Sequence, residues 1–232
     1  MAPAWPEQYG GLGKSSIEQM IFNEEMAYSR APASGRLFTI GITGPTMIVN
    51  ASEEQKQRYL VPQERGEKLA TFGLTEPGVG SDAANLLTTA RRDGDRYILN
   101  GSKIWISLAD TADHCLVFAT VAKSAGHKGI TAFIVERGFP GFSSESLHGK
   151  LGVRAGNTGI LTFSDCEVPI ANRVGEEGEG FTSAISAVAR GACAVAGGEG
   201  RVGRGCAGGR VPDRPGRSGV GAGAGGARPR GA

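Results

Sequence analysis

The sequence is poor in the residues that hold metals or form disulfide frameworks. Four cysteines and three histidines are spread over 232 residues, and no two cysteines show C-x-x-C spacing. The spacing therefore predicts neither a metal centre nor a disulfide scaffold. No apolar run approaches the ~18 residues that a membrane helix needs, and the first residues do not resemble a signal peptide. We expect a cytoplasmic protein with no membrane partner.

The last part of the chain, residues 189–232, has no leucine, no lysine and no aromatic residue, but it has 15 glycines and eight arginines. Such a segment buries too little apolar surface to offset the loss of chain entropy, so we expect it to be disordered. A reading-frame shift near codon 189 is the favoured explanation. The alternative is an Arg/Gly-rich nucleic-acid-binding segment, but no aromatic is present to stack on bases. We therefore expect no nucleic-acid partner.

The most informative stretch is F-G-L-T-E-P-G-V-G-S at residues 72–81, followed by an aspartate. Pro77 lacks an N–H group and fixes φ, so the apolar run must end in an irregular loop. Gly78 and Gly80 permit positive φ and let a ligand approach the backbone closely. A run of free loop amides can also form an anion-binding nest. This pattern predicts a ligand-binding loop.

A second stretch, G-S-K-I-W-I-S at residues 101–107, offers the flat apolar ring of Trp105 two residues before the hydroxyl of Ser107. The two stretches together resemble the flavin site of the acyl-CoA dehydrogenase family. Members of that family carry an L-T-E-P-G-x-G-S-D loop and, further along the chain, a G-x-K-x-W-I-[ST] strand. The resemblance implies FAD as the cofactor.

The resemblance also implies roles for individual residues. The loop backbone and Thr75 line the isoalloxazine ring, Trp105 covers the ring, and Ser107 hydrogen-bonds near flavin N5. Ser81 touches the ribityl-pyrophosphate side and the acyl-CoA substrate. The predicted cofactor-binding residues are Phe72, Leu74, Thr75, Gly80, Ser81, Trp105, Ile106 and Ser107.

Three residues of these stretches have more than one interpretation. Glu76 is a candidate catalytic base, but a structural role in holding the loop is favoured. Trp105 is interpreted as a flavin contact, with an ordinary core position as the alternative. Lys103 alternates with Trp105 and could share its face, yet a solvated lysine is expected.

Other polar residues are interpreted as structural. His114, His127 and His148 form no ligand set, and each is expected at the surface or in a loop. Asp165 and Glu167 lie two residues apart, which would suit a metal, but the end of a surface strand is favoured. Among the cysteines, Cys115 is expected to be a buried small hydrophobe.

Local patterns predict helices first and strands afterwards. Ser15 or Ser16 can cap a first helix, and S-E-E-Q at 52–55 is a capping box for a helix that Pro62 is expected to stop. Asp93-Gly94 and Asn100-Gly101 are hairpin signals. The six β-rich runs are 86–92, 96–99, 102–106, 115–121, 130–135 and 159–163.

These patterns and the resemblance predict an α+β fold with an antiparallel β-barrel-like middle domain. The expected organisation is a partial N-terminal helical domain over 1–69, a β domain carrying the flavin-site motifs over 70–175, and the start of a C-terminal helix over 176–188. Similarity to the family covers residues 5–188. The family's C-terminal four-helix bundle is expected to be missing, so the chain is interpreted as truncated.

The implied activity is FAD-dependent α,β-dehydrogenation of an acyl-CoA thioester, with hydride transfer to FAD. Acyl-CoA, an electron-transfer flavoprotein and, in intact members, further copies of the chain are the implied partners. The family's glutamate base lies in the C-terminal domain, so this chain is expected to lack a catalytic residue, to bind FAD weakly and to be inactive. An acyl-CoA oxidase or nitroalkane oxidase on the same fold, and a non-catalytic product or binding module, are the alternatives.

Overall fold

The computed structural model describes residues 2–29, 31, 34–189 and 191. Within these residues the fold is α+β, as predicted, with helices first and an eight-stranded sheet after them. Residues 180–189 are helical again. The segment expected to be disordered lies outside the described residues, apart from positions 189 and 191, as do Cys193 and Cys206.

The N-terminal part is built from short helices. Its α-helices are α1 (Ser16–Tyr28), α2 (Ser34–Phe38), α3 (Gly44–Asn50) and α4 (Glu53–Glu64), with a 3-10 turn at Glu7–Tyr9 and a π-helical turn at Thr39–Thr43. The π turn joins α2 directly to α3.

The predicted helix starts are confirmed by their capping geometry. Ser15 accepts a hydrogen bond from the Glu18 amide while the Glu18 side chain returns to the Ser15 amide, and Ser52 and Gln55 do the same for α4. The predicted end of α4 is wrong, because the helix continues through Pro62 to Glu64. Pro62 lies in the last turn, where its missing N–H removes only one helical bond.

The eight strands of the sheet are β1 (Ala70–Gly73), β2 (Thr89–Asp93), β3 (Arg96–Ser107), β4 (His114–Thr120), β5 (Ile130–Glu136), β6 (Phe142–Ser146), β7 (Thr158–Pro169) and β8 (Arg173–Val174). They lie in the order β6-β7-β3-β2-β4-β5-β8, and β1 pairs with β4. The sheet is mixed rather than wholly antiparallel, because β1 and β2 both pair with β4 in parallel.

One of the two predicted hairpins is confirmed and the other is wrong. Asp93 pairs with Arg96 across a turn in which Gly94 has φ 61°. Asn100-Gly101 instead lies inside β3, at an irregularity in its pairing with β7. Gly101 has φ 142°, and a Cβ there would lie 2.7 Å from the Thr88 hydroxyl. The glycine thus allows two backbones to approach closely rather than forming a turn.

The core lies on both faces of β4, all of whose residues are buried. Leu116 and Phe118 pack towards the helices, in a cluster that includes Trp5 and Met47. Cys115, predicted to be buried, is 2% exposed and belongs to the cluster on the opposite face. No helix within the described residues is long and apolar enough to cross a membrane.

Trp5 anchors the segment before α1 to the π turn and to the start of α3. Its side chain is 3% exposed, and the indole Nε1 donates to the Ile40 carbonyl at 3.3 Å. A Cβ on Gly44 would lie 1.9 Å from the Trp5 ring, whereas a Cβ on Gly41 meets only the end of Leu37, at 3.8 Å. The ring therefore occupies the space that any side chain at position 44 would need.

We predict that Gly44→Ala destabilises the chain by about 1–3 kcal/mol through overpacking. Gly41→Ala, in the same helical run, is the matched control and should stay within about 1 kcal/mol of wild type. Urea unfolding of the full chain measures both. Equal midpoints for the two variants would contradict the packing argument.

The surface position predicted for His114 is wrong. His114 begins β4, is 5% exposed, and its ring lies 4.9 Å from the Tyr59 ring and 2.9 Å from the Gln63 side-chain nitrogen. Burial lowers the pKa of His114 to about 4, although Asp113 and other acids oppose the shift. The sequence around β4 does not alternate between apolar and polar residues, because every residue of this strand is buried. The pattern therefore gave no sign of whether His114 is buried or exposed.

This pKa makes folding sensitive to acid. The unfolded chain takes up the proton near pH 6.5, before the folded chain does, so stability is complete above that pH and falls towards pH 4. The expected loss is about 3 kcal/mol. His114→Gln should reduce the slope of unfolding free energy against pH in urea unfolding between pH 7 and 4.5, whereas His148→Gln at an exposed position should keep it. An unchanged slope in His114→Gln would refute the assignment.

Candidate functional site

The two motifs recognised in the sequence lie against each other. The Ile104 amide of β3 donates to the Thr75 carbonyl at 2.9 Å. The loop also closes on itself, because Glu76 and Val79 exchange amide–carbonyl hydrogen bonds of 3.0 and 3.1 Å. The irregular loop is therefore closed on itself and bonded to β3 one residue before Trp105.

A buried ion pair joins the loop to the strand. Lys103 Nζ lies 2.7 Å from Glu76 Oε1, and the two side chains are 0% and 3% exposed. Lys103 also donates to the Leu74 carbonyl at 3.2 Å. Burial lowers the pKa of Lys103, while the Glu76 carboxylate favours the charged ammonium. The prediction of a solvated lysine is wrong, because a remote loop supplies the partner.

Glu76 receives hydrogen bonds from a third segment as well. Its carboxylate accepts from the Thr88 amide at 2.9 Å, from the Thr88 hydroxyl at 2.6 Å and from the Leu87 amide. Burial would raise the pKa of Glu76, but the charge of Lys103 and the donated bonds outweigh it and lower the pKa. The predicted role of Glu76 in holding the loop is confirmed, and its carboxylate is not free to act as a base.

Trp105 projects away from the protein. Its side chain is 63% exposed and its φ is 61°, which is rare for a bulky residue. The pairing of β3 with β7 shifts register between Lys103 and Ile106, so both of these side chains point inward. The bulge explains why Lys103 and Trp105 do not share a face.

The remaining predicted site residues differ in how far their side chains are buried. Thr75 and Ser107 are half-buried, while Gly80 and Ser81 are exposed. Ile106 is 3% exposed in the core, so only its backbone is available to a ligand. Two further residues, Phe72 and Leu74, are partly buried against the helix-facing core cluster.

The two loop glycines face open space. A Cβ on Gly78 or Gly80 would meet no atom within 4 Å, and neither residue has positive φ. The positive φ that glycine permits is therefore not used at either position. Room for close approach of a ligand to the backbone remains, and it is what a flat cofactor lying along the loop would require.

Sequence reasoning missed the threonines that tie the motifs together. The Thr71 hydroxyl of β1 donates to the Ser107 carbonyl, and Thr88 binds Glu76. Neither lies in a recognised motif, so only three-dimensional proximity could reveal them. A cavity of about 450 Å³ was missed as well. It is lined by Asp110 and by residues of the segments 146–150 and 154–158.

The acidic pair at the end of β7 is structural, as favoured. Asp165 accepts from the Asn100 side chain at 3.0 Å, and Glu167 pairs with Arg96 at 2.8 Å on the surface. Within the described ranges no group of three or more His, Cys, Asp or Glu residues could hold a metal ion.

Family comparisons agree with the paired motifs. A model described as acyl-CoA dehydrogenase, N-terminal domain, matches residues 1–67, and one described as acyl-CoA dehydrogenase, middle domain, matches residues 71–166. The helical part and the sheet are therefore the N-terminal and middle domains of this class of protein. The chain belongs to the acyl-CoA dehydrogenase family.

Individual relatives give the same result. The short-chain-specific acyl-CoA dehydrogenase of Clostridium acetobutylicum is 39% identical over 198 residues, which cover 84% of this chain and 52% of that protein. The structure of butyryl-CoA dehydrogenase from Megasphaera elsdenii matches with a TM-score of 0.79 and 38% identity, over 85% of this chain and 53% of that one.

A chain in the structure of the electron transferring flavoprotein of Acidaminococcus fermentans matches with a TM-score of 0.83 and 39% identity. The match covers 88% of this chain and 54% of that chain. The protein thus spans about half the length of the relatives it matches.

We predict that Lys103→Met destabilises the chain by about 3–5 kcal/mol, because it leaves the buried Glu76 carboxylate without a counter-charge. Arg96→Gln breaks an exposed ion pair on the same strand and should cost at most about 1 kcal/mol. Urea unfolding at neutral pH measures both. A Lys103→Met variant as stable as Arg96→Gln would show that the pair is not buried as described.

Proposed function

We propose that this chain forms the flavin-holding part of an acyl-CoA dehydrogenase that carries out α,β-dehydrogenation of an acyl-CoA thioester. The observation that carries the proposal is the contact between loop and strand. The Thr75–Ile104 hydrogen bond joins the two motifs, and the next residue of the strand is the exposed Trp105. The open faces of Gly78 and Gly80 leave room for a flat ring.

The residues of this surface have distinct roles in the proposal. FAD, when bound, supplies the acceptor for the hydride that leaves the substrate's β-carbon. Thr75 and the loop backbone line the ring, Trp105 covers it, and Ser107 hydrogen-bonds near N5. Ser81, exposed at the end of the loop, contacts the ribityl-pyrophosphate side and the acyl-CoA.

The core residues of the motif support this surface rather than contact the substrate. Phe72 packs on Phe118 with ring centroids 5.0 Å apart, and Ile106 lies in the core. Leu74 uses its carbonyl to bind Lys103. We assign removal of the substrate's α-proton to none of the described residues. The loop glutamate, Glu76, is unavailable because its buried carboxylate is bonded to Lys103 and Thr88.

Substrate and partners follow from the relatives. Similarity to a short-chain-specific acyl-CoA dehydrogenase and to butyryl-CoA dehydrogenase supports an acyl-CoA as the substrate. Similarity to a chain in the structure of an electron transferring flavoprotein supports such a flavoprotein as electron acceptor. We extend the proposal to homo-oligomerisation of the whole protein, as the family resemblance implies.

The test uses the full chain labelled with 5-fluorotryptophan, which gives one ¹⁹F resonance for Trp105 and one for the buried Trp5. Trp105→Phe assigns the two signals. Titration with FAD into the millimolar range should shift the Trp105 resonance and leave that of Trp5 unchanged. This readout detects weak binding as well as tight binding. No response at Trp105 would refute a flavin site on this surface.

Gly80→Ala sharpens the same test. The added methyl group should weaken FAD binding about tenfold, equivalent to about 1.4 kcal/mol, because it fills the space along the loop that the ring would occupy. Gly138→Ala is the matched control, since it also meets no atom within 4 Å and has no positive φ. Equal FAD affinities in the two variants would contradict the placement of the ring.

A further inference from the structure

We propose that the buried Lys103–Glu76 pair is a positioning device, which fixes residues 74–76 relative to β3 and thereby sets the placement of Thr75 and Trp105. This inference rests on the proposed function, because it concerns the surface that we assign to the flavin. The two residues are positioning residues, since neither side chain is exposed to a ligand.

The pair holds Thr75 from both sides. Lys103 donates to the carbonyl of Leu74 and to the side chain of Glu76, the two neighbours of Thr75. The next residue of the strand, Ile104, donates its amide to Thr75 itself. Two consecutive strand residues therefore bind three consecutive loop residues, and the exposed Trp105 follows directly.

Stability alone does not require a buried ion pair between the loop and the strand. Well-packed apolar side chains often replace a buried ion pair without loss of stability. The Glu76 carboxylate, however, accepts bonds from Lys103, Leu87 and Thr88, and so joins three separate segments. A polar network in which each group is satisfied rigidifies the groups that it joins and favours one arrangement of them.

The pair also sets the orientation of Trp105. A one-residue slip in a strand sends side chains to the opposite face. Lys103 is fixed inward by Glu76, and the irregularity between Lys103 and Ile106 lets Trp105 point outward at φ 61°. Loss of the inward anchor removes the constraint that keeps the bulge at this position.

The experiment compares Glu76→Gln with Glu167→Gln in the full, 5-fluorotryptophan-labelled chain, below the unfolding transition of each. Glu167 belongs to the exposed pair with Arg96 on β3, and so controls for loss of any ion pair on this strand. Three properties are measured: the Trp105 resonance without ligand, hydrogen exchange of the Ile104 amide, and the apparent Kd for FAD.

Glu76→Gln should shift or broaden the Trp105 resonance, speed exchange at Ile104 about tenfold and weaken FAD binding about tenfold, with Trp5 unchanged. Glu167→Gln should leave each property within about twofold of wild type. Lys103→Met should repeat the local changes, and if it fails to fold, Glu76→Gln decides alone. The proposal would be overturned by a folded Glu76→Gln variant that has a lower melting temperature but keeps the wild-type Trp105 resonance, Ile104 exchange rate and Kd for FAD.

The two proposals fail separately. If wild type shows no response to FAD, the flavin site is refuted, while the Trp105 resonance and Ile104 exchange still decide whether the pair positions the loop. If wild type binds FAD and Glu76→Gln binds it equally well with the same Trp105 resonance, the positioning role is refuted and the flavin site stands.

Discussion

The salt bridge between Lys103 and Glu76 lies at the point where three segments of the chain meet. A loop after β1, the segment before β2 and the middle of β3 all bind one carboxylate. Because both charges are removed from water, each is stable only while the other is in place. The irregular backbone of the loop closes on itself through the Glu76–Val79 hydrogen bonds, and it is fixed to β3 by the salt bridge together with the Thr75–Ile104 bond. The surface that carries Trp105 depends on it in turn.

Features that rest on neighbours in sequence could be predicted. The capping boxes of α1 and α4, the turn at Gly94 and the two family motifs at residues 72–81 and 101–107 each involve residues a few positions apart. Such patterns record local hydrogen bonding and backbone preference, which the sequence displays directly. The resemblance to the family rested on the same kind of short pattern, and the comparisons support it.

Features that depend on residues distant in the sequence could not be predicted from the sequence. Lys103 is buried because Glu76 lies 2.7 Å away, and His114 is buried because Tyr59 and Gln63 of α4 cover it. The dipeptide Asn100-Gly101 is typical of a tight turn, but it lies inside a strand, where Gly101 allows Thr88 to approach closely. In each case tertiary contact outweighs local propensity.

The long pairing of β3 with β7 has a consequence for how the chain is made. Arg96 of β3 lies opposite Pro169 of β7, and Ser107 lies opposite Thr158. During synthesis β3 therefore emerges well before its partner, with an unpaired strand edge and side chains destined for the core. Edges of this kind recruit other chains until they are covered. The interval before residue 169 emerges is thus the period when a nascent copy is most open to chaperones and to aggregation with its neighbours.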